Sequence, residues 1–179
     1  LIRLERQMMF EVEGGTQTEC MRLLRHEAGH ALQHAYNLQR RRRWQRTFGK
    51  ASEPYPEFYR PNPMSKGFVE HLDGWYAQAH PVEDFAETFA VWLAPRSNWR
   101  KHYASSPALA KLEYIDELVE DLSEKKPQVK SRARPYSLPS LRHTLRRHYE
   151  RRQEHYSPGF SDEYDRDLLK IFSDSARYR

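Results

Sequence analysis

The chain has 179 residues, enough for one domain with a true core or for a domain plus a small appendage. Its 13% aromatic content excludes a disordered composition, while 31% charged residues and a mean hydropathy of −0.98 point to exposed helices or long surface segments. The net charge of +5 would suit an acidic partner, a single cysteine (Cys20) excludes an internal disulfide, and no apolar run reaches the roughly eighteen residues that a membrane span needs.

Residues 6–15 (RQMMFEVEGG) read as a strand closing in a turn, with Phe10 and Val12 alternating with Glu11 and Glu13. Few other segments read this way, so the sheet is either tiny or completed by strands before Leu1. Thr16 and Glu19 have capping-box spacing and open a helix. Met21, Leu24, Ala28, Ala31 and Ala35 follow as its expected buried stripe, and the helix is expected to run to the arginine block at 40–43. Residues 44–66 hold four prolines and little periodicity, and read as an ordered, aromatic-rich surface loop, of which the Pro- and Tyr-rich stretch 48–66 is expected to wall a cleft. A second helix begins at Pro81, carries Glu83 and Asp84 in its first turn and ends before Pro95. A third starts at Ser106-Pro107, with Leu109, Leu112, Ile115, Val119 and Leu122 as its stripe, and stops before Pro127. Beyond lie a basic connector, a basic helix over 141–156 and a short amphipathic helix over 162–174. The predicted organisation is a main domain over 1–126 and a basic helical extension over 127–179.

The chemistry concentrates in residues 23–32, LLRHEAGHAL. His26 and His30 lie one helical turn apart on one face, so their ring nitrogens can converge on one metal ion. Glu27 points to the side, where it can take a proton from water. With nine histidines and many glutamates, chance gives an HExxH in roughly one such chain in twenty-five. Its place on a capped amphipathic helix argues against chance. So does Gly29, which costs about 1 kcal/mol against Ala in mid-helix and implies close packing of a neighbour.

Zinc in a catalytic site takes a third protein ligand and keeps one open position. The candidates are His34, His71, His80, Glu83 and Glu87. His34 rises about 12 Å from His26 along a straight helix and cannot share its metal. Glu83 and Glu87 stand one turn apart on an otherwise apolar helix. One can bind metal and the other can fix a histidine tautomer.

HEAGH followed by YAQAHPVEDFAETFA resembles the gluzincin metallopeptidases, in particular the branch with the catalytic domain of lethal-factor toxin and many uncharacterised bacterial zinc-binding metallopeptidases. The resemblance implies an α+β, zincin-like fold, here predominantly helical with a small N-terminal sheet. It implies one catalytic zinc on His26, His30 and Glu83, with Glu27 as general base, Tyr76 on the oxyanion or leaving group, and Glu87 orienting His26. It also implies a peptide or protein substrate.

The rival reading is a basic nucleic-acid- or partner-binding helical protein with a non-catalytic zincin-like domain. It rests on Arg40–Arg43 with Trp44 and Arg46, and on Arg142, Arg146, Arg147, Arg151 and Arg152. The blander expectation is a solvated helix end for the first cluster, and packing on the acidic third helix for the second. Cys20 is expected in the core, and His80 is expected to cap the second helix or line the cleft. The lone cysteine and the lack of a recognisable leader favour a cytoplasmic setting.

Overall fold

The structure is a computed structural model, and it describes residues 2–9, 12–131, 133 and 137–156. The expected amphipathic helix over 162–174 lies outside these residues. The chain order is α1 (Ile2–Met9), α2 (Gln17–Tyr36), α3 (Arg42–Phe48), α4 (Pro81–Leu93), α5 (Trp99–His102), α6 (Ala108–Leu122) and α7 (Leu145–Tyr156), with 3-10 turns at Leu38–Arg40, Tyr76–Gln78 and Leu138–Ser140. The chain divides into two units, one of residues 13–132 and one of residues 1–12 with 133–179.

In the larger unit α4 is the central helix. Eight consecutive residues, Glu83 to Ala90, are buried, so it is covered on every side. Phe85 and Phe89 join Leu38, Trp44, Phe48, Tyr114, Ile115, Leu118 and Leu122 in the main core. A second cluster of Val69, Trp99, Ala108 and Leu112 packs beside it. α6 follows the expected stripe at Leu112, Ile115 and Leu122, and adds Tyr114 and Leu118. Its outer acids pair with Arg41 (to Asp121, 3.2 Å), Arg43 (to Glu117, 2.5 Å) and Arg100 (to Asp116, 2.5 Å). Two arginines of the first basic cluster, Arg41 and Arg43, are therefore paired with α6, and its Trp44 is a fully buried core residue.

In the smaller unit Glu5 of α1 accepts from Tyr149 (2.5 Å) and Arg152 (2.5 Å) of α7, and Gln153 donates to the Met8 carbonyl (3.0 Å).

Four expectations are corrected. No strand occurs among the described residues, and the expected strand at 6–15 is replaced in part by α1. Leu4 and Met8, four apart, share the less exposed face of that helix, the helical repeat that the strand reading of 6–15 left out because Leu4 precedes it; Phe10 and Glu11 lie outside the described residues. α2 stops at Tyr36, because Asn37 adopts the left-handed conformation (φ 49°) and ends the helix before the arginine block. The chain then restarts as α3 with Trp44 and Phe48 turned inward. Met21 and Leu24 are not buried but 44% and 54% exposed, and Ala31 is exposed too. The buried residues of α2 are His26, Gly29 and Gln33, so the centre of the packed face lies roughly 150° round the helix from that of the apolar stripe. Cys20, on the outer side of the same helix, is exposed rather than in the core.

Candidate metal centre

The site is made where α2 crosses α4. Thr16 and Glu19 close a reciprocal capping box at the start of α2 (3.0 and 3.2 Å), as their spacing predicts. His80 caps α4: its Nδ1 accepts the Val82 N–H (3.2 Å), and Pro81 takes the first helical position, where no N–H is needed. Gly29 sets how close the two helices come. A Cβ at this position would lie 2.9 Å from Ala86 Cα and 3.2 Å from the Ala86 carbonyl oxygen, nearer than a side chain can sit. The mid-helix glycine therefore does permit close approach.

That approach brings two one-turn pairs face to face, His26/His30 on α2 and Glu83/Glu87 on α4. His26 Nε2 and His30 Nε2 are 3.0 Å apart, and Glu83 Oε2 lies 3.1 Å from the first and 3.2 Å from the second. Three donor atoms thus form a nearly equilateral triangle. Among the described residues, this His/His/Glu group is the one able to hold a metal ion. His26 and Glu83 are only 3% and 5% exposed, while His30 is half-buried and marks the side open to solvent.

The triangle fits zinc. Two imidazoles and one carboxylate are a catalytic zinc set, and 2.0–2.1 Å bonds in a tetrahedron place ligand atoms about 3.3 Å apart. Without a cation, three lone pairs would face one another. In the metal-free protein a proton takes that place. Burial opposes a charge on His26, but its bonds to Glu83 and Glu87 outweigh this and raise the ring to about 9. Burial also disfavours ionised Glu83, yet bonds from His26, His30 and Tyr55 hold its carboxyl well below the usual carboxylate range.

Glu87 is fully buried and uses both oxygens. Oε1 accepts from His26 Nδ1 (2.8 Å), while Oε2 accepts from the Leu72 (2.8 Å) and His71 (3.2 Å) backbone N–H groups. With Nδ1–H committed to Glu87, His26 presents the Nε2 lone pair to the triangle. His71, a candidate ligand by type, is instead turned toward the Arg22 carbonyl through Nε2 (2.9 Å), and Arg22 donates to the His71 carbonyl in return. His34 is exposed. Neither joins the triangle.

Tyr76 opens a 3-10 turn that follows Gly74 and Trp75, both with positive φ (79° and 53°). Its ring lies 5.8 Å from that of His26, centroid to centroid. Burial, then the charges of Glu83, Glu87 and Glu27 together with the nearby Tyr59, push its phenol above the usual value. Glu27 itself is exposed, within electrostatic reach of Tyr76.

One contact was not foreseen from the sequence. The Tyr55 hydroxyl donates to Glu83 Oε1 (2.7 Å), the oxygen that does not face the histidines. More than half of the Tyr55 residue is exposed, but its hydroxyl tip is turned in, so burial and then the Glu83 bond push the phenol upward. Residues of the Pro-rich stretch, Glu53, Pro54 and Pro56, also wall a cavity of about 360 Å³ with Phe48, His80 and Asp84. Burial raises Asp84 to about 7 even though Lys111 Nζ lies 2.7 Å away.

No helix among the described residues is long and apolar enough to cross a membrane. No curated protein and no solved structure matches the chain. Residues 18–105, a little under half of the chain, match the family described as "Putative zinc-binding metallo-peptidase". That stretch contains both His26–His30 and Tyr76–Glu87, and it supports a zinc metallopeptidase family for this chain.

Proposed function

We propose that this chain is a zinc-dependent peptidase of gluzincin type, acting on peptide or protein substrates, with His26, His30 and Glu83 as zinc ligands. The observation that carries this reading is the 3.0–3.2 Å triangle of His26 Nε2, His30 Nε2 and Glu83 Oε2. Within that class, the spacing of Tyr76, Glu83 and Glu87 favours the lethal-factor-like branch. One zinc ion is invoked, and when bound it supplies a Lewis acid that acidifies water and polarises a carbonyl.

The chain's own residues do the rest. Glu87 holds His26 in one tautomer and one orientation. Glu27, exposed and next to His26 in the sequence, takes the proton of the attacking water and delivers it to the leaving nitrogen of the cleaved amide. Tyr76 donates a hydrogen bond to the carbonyl oxygen as that oxygen gains negative charge. The nucleic-acid alternative loses part of its basis because Arg41 and Arg43 are already paired with α6.

The test is zinc per chain by elemental analysis on wild type, His26→Ala and Glu83→Ala. About one zinc in the wild type and loss in both variants is expected, because ligands from two helices must act together. A wild type that stays metal-free after zinc loading overturns the proposal. A Glu83→Ala protein that keeps its zinc removes Glu83 as a ligand.

A further inference from the structure

The segment at 49–62 is not a loose cover. Gly49, at φ +111°, sits so close to Pro81 that a Cβ there would lie 3.0 Å from its Cγ. Tyr59 donates to the Gly74 carbonyl (3.0 Å). Asn62 and Gln78 exchange two bonds, Asn62 N–H to Gln78 Oε1 (2.8 Å) and Gln78 Nε2 to the Asn62 carbonyl (3.0 Å). The segment is thus stitched along 74–81, the stretch that leads into α4.

Between these stitches sits His80. Its Nδ1 accepts from Val82 N–H, so its Nε2 carries the proton and donates to the Glu53 carbonyl (2.8 Å). Its ring also lies flat against Tyr55, with centroids 3.9 Å apart and planes 13° apart. One histidine therefore caps α4, ties down residue 53 and supports the ring of residue 55. The outcome is the Tyr55 hydroxyl on Glu83 Oε1, while Glu83 Oε2 faces the two histidines.

Resting on the zinc reading above, we infer that Tyr55, held by His80, is a positioning residue that commits Glu83 to bind metal through Oε2 alone. A carboxylate with both oxygens free can swing between one-oxygen and two-oxygen binding. A phenol bonded to Oε1 occupies one of them, fixes the rotation of the carboxylate and leaves one donor atom in the triangle. The hydrogen bond also holds the Glu83 carboxylate in place before the metal arrives, which lowers the ordering cost of binding. Partners of this kind contribute about 10- to 100-fold in metal affinity. Tyr55 also links the site to the Pro-rich segment, so its position sets how that segment meets the metal.

The experiment uses Tyr55→Phe and His80→Asn in the full chain. Tyr55→Phe keeps the stacked ring and removes only the hydroxyl. His80→Asn keeps a side chain suited to capping α4 and removes both the stacking ring and the bond to Glu53. Three readouts are taken: zinc affinity by competition with a chromogenic chelator, the visible absorption spectrum of the cobalt(II)-substituted protein, and thermal unfolding of the metal-free protein. Tyr55→Phe is expected to weaken zinc binding 10- to 100-fold and to change the cobalt spectrum, with little change in unfolding temperature. His80→Asn is expected to shift the spectrum in the same sense. A wild type that binds zinc, with Tyr55→Phe equal in affinity and spectrum, overturns this inference and leaves the zinc reading standing. A wild type that binds no zinc overturns both. Equal loss of affinity with an unchanged cobalt spectrum also overturns it, since the hydroxyl would then not govern the coordination of Glu83.

Discussion

Replacing Gly29 with alanine tests the geometry of the site without touching a proposed ligand. At an unpacked mid-helix position the change would stabilise α2 by about 1 kcal/mol. Here the new methyl would stand 2.9 Å from Ala86 Cα, 3.2 Å from the Ala86 carbonyl oxygen and 3.3 Å from Phe89 Cβ. Carbon atoms rest at about 3.5–4.0 Å, so α2 and α4 must separate by roughly 0.6–1 Å. The obstacle is helix backbone rather than the end of a flexible side chain. The overpacking cost therefore belongs at the upper part of the usual range, about 2–3 kcal/mol. Subtracting the helix gain leaves a net loss of about 1–2 kcal/mol, or a fall in Tm of roughly 4–10 °C for a unit of this size. The same separation pulls Glu83 away from His26 and His30, so zinc affinity must fall as well. Thermal unfolding with and without zinc, and chelator competition, read the two effects. A Gly29→Ala protein as stable as the wild type, with equal zinc affinity, would refute the claim that this glycine sets the α2–α4 distance.

Further outcomes follow from the same contacts. Glu27→Gln should keep zinc and lose about 100- to 10,000-fold in peptide hydrolysis, as expected for a general base, while Tyr76→Phe should keep zinc and lose about 100- to 1,000-fold; loss of zinc in either variant would remove its assigned role. Glu87→Gln should lower stability by about 1–3 kcal/mol, because its three partners all donate and a glutamine offers only one accepting oxygen; unfolding by urea measures this, and no change would contradict the bonding described. In the metal-free protein His26 is raised from its ordinary 6.5 to about 9, so its stabilising contribution is whole below about pH 6.5 and is lost as pH rises through 9. The loss is about 3 kcal/mol over the whole window, of which about 2 kcal/mol falls above pH 7.5; because Asp84 titrates at about 7, the His26 part is read as the difference from His26→Gln, in which it should be absent. Zinc affinity should move in the opposite sense over the same window, rising with pH as the competing proton leaves.

The two chemical blocks were legible because each is local. His26, Glu27 and His30 share one helical turn, and Glu83 and Glu87 share another, so spacing alone tells which side chains lie on one face. The same holds for the Thr16/Glu19 cap, for Pro81 at the start of α4 and for the His80 cap. Elements that depend on distant partners were read less well. The stripe Met21–Leu24–Ala31 has the right period for a buried face, yet the buried face belongs to His26, Gly29 and Gln33. Period reports that a helix has faces; only the neighbour it packs on selects which face is covered. The Arg41/Arg43 cluster reads as a binding surface in isolation, and its pairing with Glu117 and Asp121 appears only once α3 and α6 lie side by side.

The residue types of the candidate metal site, their one-turn spacing and the need for a close neighbour at Gly29 can all be read from the chain alone. These follow from the helical repeat and from the chemistry of single side chains. Tertiary structure alone decided which carboxylate faces the histidines and which one braces His26. Glu83 and Glu87 are equivalent by spacing and differ only in what surrounds them: two ring nitrogens and Tyr55 in one case, a ring N–H and two backbone N–H groups in the other. Tyr55 is the clearest instance. It lies 28 residues from Glu83, in a stretch without period, and no local rule joins them. Their contact exists because His80, Pro81 and Gln78 hold that stretch against the start of α4, and such long-range packing leaves no mark in the local pattern of residues.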